Sequence, residues 1–71
     1  MRDPNRLYDF YEILRAIHQN NIPDWRFGQF IMNFMGWYCD KYKRDIFYIE
    51  DDKMMKVIRE YVNDMGPKYV N

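Results

Sequence analysis

The chain has 71 residues, enough for one domain and too few for a second with its own core. Eleven Lys and Arg balance eleven Asp and Glu, which excludes the global positive field that non-specific nucleic-acid binding needs. Hydrophobic residues at 48% and aromatics at 20% exclude a disordered chain, because a few large rings supply the core that so short a domain otherwise lacks.

In chain order, Asp3 followed by Pro4 opens the first predicted helix: the carboxylate accepts an orphan N–H, and Pro at the first position gives up nothing. At about 100° per residue, Leu7, Phe10, Tyr11, Leu14 and Ile17 share one face, with Arg6, Asp9, Glu12 and Arg15 mostly opposite. The helix is expected to stop near Gln19, where Asn20, Asn21 and Pro23 read as a turn.

Asp24 repeats the cap logic for a second helix from Trp25 to about Asp40, with Phe27, Phe30, Ile31, Phe34 and Tyr38 inward. Gly28 and Gly36 inside it each cost about 1 kcal/mol relative to Ala, which points to close approach by a neighbour. Lys41 to Asp45 is a polar connection. Ile46, Phe47, Tyr48 and Ile49 then form an apolar run too brief for a helix, expected as an extended strap across the bundle. Glu50 and Asp51 introduce a third helix with Met54, Ile58, Tyr61, Val62 and Met65 on one face, ended by Gly66 and Pro67. Residues from Lys68 to Asn71 are expected to fray. The fold class is therefore all-α: a small bundle of three main helices with a short extended strap between helices 2 and 3.

Three segments have a family look: Met1-Arg2-Asp3-Pro4-Asn5-Arg6, the central Pro23-Asp24-Trp25-Arg26-Phe27-Gly28-Gln29, and Arg44-Asp45 with Glu50-Asp51-Asp52. They resemble a group of short helical proteins of bacteria and their phages or prophages in which an Asp-x-Arg-x-Gly-Gln segment opens the second helix. The resemblance spans nearly the whole chain. It implies a compact helical fold and a mobile-element origin, and it transfers no catalytic role.

Little in the chain suits catalysis. Ser and Thr are absent, so the covalent candidates reduce to Tyr oxygens, Cys39, carboxylates, Lys and His18. His18 and Cys39 are the one nucleophilic pair available, but they fall near the ends of successive helices, which antiparallel packing would separate. A lone Cys is more often an apolar filler, and a single His gains from a helix C-terminus. One His and one Cys cannot complete a zinc site, and Glu50, Asp51 and Asp52 lack the spacing of a calcium loop, so they read as charges favouring a helix N-terminus. No catalytic residue, metal, cofactor or small-molecule substrate is expected.

A single cysteine, an N-terminus without an apolar stretch and the lack of an 18-residue apolar run lead to the expectation of a cytoplasmic protein with no membrane contact. Arg26, Gln29 and Asn33 lie three and four residues apart on one helix face. Arg, Gln and Asn are also the side chains that read purine edges, so a helix-turn-helix DNA binder is the alternative reading, weakened by zero net charge and few candidate phosphate contacts. The leading expectation rests on an apolar surplus. Tyr8, Trp25, Met32, Met35, Trp37, Phe47 and Tyr48 stand beyond the three inward stripes, more than so short a bundle hides unless the strap covers them. A protein partner or a homodimer is expected on a surface of Trp25, Arg26, Gln29, Asn33 and Trp37.

Overall fold

Asp3 and Pro4 start the chain's first turn. The Asp3 carboxylate accepts the Asn5 N–H at 3.0 Å, and Arg6, Leu7 and Tyr8 donate back to the carbonyls of Asp3, Pro4 and Asn5 at 3.2 Å each. From these tight turns α1 runs over Arg6–Asn21, two residues past the expected stop. Asn21 itself extends it: its side-chain amide donates to the Ile17 carbonyl at 2.8 Å, and the Ile22 N–H caps the His18 carbonyl. The computed structural model describes the backbone of residues 2–69 and the side chains of residues 2–64.

Pro23 and Asp24 are the middle of a turn closed by the Trp25 N–H on the Ile22 carbonyl at 3.1 Å. Asp24 is therefore a turn residue, and α2 spans Phe27–Tyr42 with Arg26 in the cap position. The cap is made by Gln29, whose Oε1 accepts the Arg26 N–H at 2.7 Å. A guanidinium has no acceptor to return the bond, so the cap is one-sided. The far end continues past Asp40 to Lys43, which takes a left-handed φ of 57° and donates its N–H to the Cys39 carbonyl.

The connection that follows carries no strand among the described residues. Ile46 to Ile49 closes a turn through the Ile49 N–H on the Ile46 carbonyl at 3.2 Å, set up by the Asp45 carboxylate accepting the Phe47 N–H. A turn, unlike an extended strap, sends its ends and its middle in opposite directions. Ile46 and Ile49 pack on the core, while Phe47 and Tyr48 stand in solvent at 79% and 85% exposure, edge to face with one another.

Helix α3, Asp51–Tyr69, passes through Gly66 and Pro67 rather than ending there. A proline forfeits one backbone bond, and near a helix end that loss is local. The inward placing of Met65 and the fraying of Val70 and Asn71 lie outside the described residues. Both α1 and α2 pack on α3, and the core is Ile17, Ile22, Phe30, Phe34, Tyr38, Met55, Val57, Ile58, Tyr61 and Val62. Phe30 and Phe34 are sealed completely, each worth about 1.5–3 kcal/mol relative to exposure.

Ion pairs fix how the helices meet. Arg2 grips Glu50 with two bonds and Arg6 reaches Asp51 at 2.9 Å, which ties the start of α1 to the start of α3. At the other end, Lys41 reaches Glu60 at 2.7 Å and Asp64 at 3.4 Å, so the end of α2 crosses the later half of α3. The result is a slab of 41 × 27 × 19 Å. A slab this thin has little interior, and Tyr11 and Phe27, both expected inward, join Tyr8, Met32 and Met35 on the outside. No helix among the described residues is long and apolar enough to cross a membrane.

Candidate functional site

Three of the five expected site residues come together. Trp25, from the α1–α2 turn, and Asn33 and Trp37, from α2, line a groove of about 410 Å³ together with Met32, Gly36, Asp40 and Tyr61. Trp25 is held by its backbone: His18 Nε2 donates to the Trp25 carbonyl at 2.8 Å, since a carbonyl can only accept. The imidazole is itself packed on Phe30, with ring centres 5.0 Å apart. Trp37 leans on Phe34 and Tyr61 and carries the Lys41 ammonium 5.1 Å from its ring centre. The groove walls are thus rigid aromatic planes.

Arg26 and Gln29 do not line this groove. Gln29 is engaged in the cap and Arg26 stands exposed beside it, so the expected stripe of Arg26, Gln29 and Asn33 splits into a cap and a groove residue. Met32, Gly36 and Tyr61 were not placed in the site from sequence. Met32 counted only as surplus apolar surface, and Tyr61 belongs to the distant α3, so its approach to Trp37 depends on the crossing of two helices.

The glycines correct the expected close approach. Apart from the adjoining backbone of α2 itself, neither Gly28 nor Gly36 has a neighbouring atom within 4 Å of where a Cβ would stand. The outer side of α2 is also free of charge: from Phe27 to Cys39 the helix has no ionisable side chain but the Tyr38 phenol and the Cys39 thiol. Phe27, Gly28, Gln29, Met32, Asn33, Met35, Gly36 and Cys39 are all exposed along it. A solvated helix face normally alternates in charges, so an uncharged one is the informative deviation.

Beside this face, the end of α2 is latched electrostatically. The Glu60 carboxyl is held below its usual range, first by the Lys41 hydrogen bond and then by the Tyr42 hydroxyl, which donates at 2.6 Å. The same Glu60 bonds raise the Lys41 ammonium and the Tyr42 phenol above their ordinary values. This group positions the end of α2 against α3.

The other ionisable residues are spread or occupied. His18 contacts Phe30 near the start of α2, and Cys39 follows nine residues later, about 13 Å along the axis. The acidic run is engaged by the arginines at Glu50 and Asp51, and Asp52 accepts the Lys53 N–H at 2.8 Å. Among the described residues, no group of three His, Cys, Asp or Glu could hold a metal ion. A wider, open groove of about 890 Å³ lies under Tyr48, where Arg44, Lys53 and Lys56 are interleaved with Asp45, Glu50 and Asp52. Its alternating charges cancel, and no single ligand chemistry is selected.

Comparison with protein families, with curated proteins and with solved structures finds no match to this chain.

Proposed function

We propose that this chain is a non-enzymatic protein-binding module that docks through the outer face of α2 and the adjoining Trp25–Trp37 groove. The observation that carries the reading is the stretch from Phe27 to Cys39, exposed on one side with no Asp, Glu, Lys or Arg. Met32 is 68% exposed there. Water-exposed thioether and aromatic surface has a standing penalty that a protein partner removes, and aromatic anchors in a groove supply much of the binding energy when it does. Rigid walls lower the cost further, since Trp25 and Trp37 lose little freedom on docking.

In this reading the protein acts in the cytoplasm, as a regulator or inhibitor of phage or prophage descent that occupies a surface on a partner protein. What supports that origin is the resemblance of the short segments Met1–Arg6 and Pro23–Gln29 to short proteins of bacteria and their phages or prophages. The helix-turn-helix alternative gains no observation in its favour, because Gln29 is spent on the cap and the outer face of α2 has no row of cations to meet phosphates.

The test is affinity capture from cells that carry the gene, comparing the native chain with Met32→Glu. A defined protein retained by the native chain and lost from a folded variant supports the reading. Equal capture by both, or capture of nucleic acid alone, overturns it.

A further inference from the structure

We infer that one occupant of the α2 outer face is a second copy of this chain, packed with its own α2 antiparallel to the first about a twofold axis. The inference rests on the protein-binding reading above and adds the partner and its register. Gly28, Met32, Met35 and Cys39 follow one another at steps of four, three and four residues, the spacing of a helix–helix seam. All four are exposed.

The row has an internal symmetry. Read from either end it runs small, Met, Met, small, with its midpoint between Asn33 and Phe34. An isologous contact requires a surface complementary to itself when reversed. Antiparallel pairing meets that requirement: Met32 packs on the partner's Met35, and Gly28 receives the partner's Cys39. The empty space above Gly28 and Gly36 admits the closer approach that a bulkier helix would block.

Charge selects the same direction. Among the described residues, Arg26 stands at one end of α2 without an ion pair, and Asp40 stands at the other, 91% exposed and paired with Lys43 at 3.8 Å. Antiparallel chains bring Arg26 to the end where the partner's Asp40 lies, twice by symmetry. Parallel chains would set Asp40 against Asp40. Zero net charge removes long-range repulsion between copies.

The register is tested by cysteine pairing in a Cys39→Ala background. Met32→Cys and Met35→Cys are made as separate variants, then oxidised alone and as an equimolar mixture, with sedimentation of the native chain in parallel. The expected result is a reversible dimer, with a disulfide in the mixture joining one chain of each variant and little in either alone. In the native chain, Cys39 stays a free thiol. Disulfides formed by each variant with itself, or a Cys39–Cys39 dimer, overturn the antiparallel register. A strict monomer up to millimolar concentration overturns the second copy as occupant; protein capture still lost on Met32→Glu would then leave the protein-binding reading standing, and capture unaffected by that substitution would remove both. Where a dimer forms, Met32→Glu is expected to weaken it by roughly a hundredfold, with helical content unchanged by circular dichroism.

Discussion

Lys43 holds a left-handed backbone that a side chain occupies at a cost of about 1–2 kcal/mol. Among the described residues its side chain pairs with Asp40 alone, a weak, exposed contact of a kind that contributes almost nothing. Lys43→Gly is therefore expected to stabilise the fold by about 1 kcal/mol in urea denaturation, because glycine fits this cap without strain. Gly36 presents the opposite case. It sits in mid-helix with open space around it, so Gly36→Ala is expected to stabilise the dilute protein by about 1 kcal/mol through helix propensity alone. If that substitution destabilises the dilute chain, the space above α2 is not free. Among single residues, the sequence set Trp25, Asn33 and Trp37 on one expected surface, and these three meet in the groove; Gln29 sits in the cap instead, because a capping glutamine and an outward-facing one have the same spacing.

At the scale of elements, α2 is held to the core by Phe30 and Phe34, and to α3 by the Lys41, Tyr42 and Glu60 latch. Phe34→Ala is expected to cost about 3–5 kcal/mol, enough to leave so small a domain largely unfolded on warming. The latch sets a pH window. Glu60, held low, adds stability that is present above its usual 4.5 and lost as pH falls through its folded-state value. Lys41 and Tyr42, held high, add stability present below their usual 10.5 and 10.0 and lost as pH rises beyond them. The stability difference between the native chain and Glu60→Gln is thus expected to be flat through neutral pH and to shrink at both extremes. A difference that grew in acid would contradict the latch.

Helices were legible because their apolar periodicity is local. Their ends shifted because the decisive groups, the Asn21 amide, the Gln29 cap and the left-handed Lys43, act through backbone geometry that periodicity does not encode. Residues 46–49 were legible as non-helical and core-covering through Ile46 and Ile49. The turn that turns Phe47 and Tyr48 outward depends on the Asp45 side chain, a bond with no long-range signature.

For the whole molecule, the apolar surplus and the flatness of the slab are one fact seen twice. Two helices laid on a third leave α2 with one side buried and one side bare, and no segment among the described residues crosses the bare side. Zero net charge and the absence of serine and threonine were plain in the composition; the groove was not, because Tyr61 enters it from a helix twenty-four residues away from Trp37. Function in this account is a property of that bare side.

Methionine methyl resonances report on it directly. Followed by NMR from micromolar to millimolar concentration, the Met32 and Met35 methyl signals are expected to shift or broaden together while buried Met55 stays unchanged, and the same pair should respond to any captured partner. Methyl signals of Met32 and Met35 that remain sharp and fixed under both conditions, with changes appearing around Tyr48 or Lys56 instead, would contradict the assignment of the docking surface to α2.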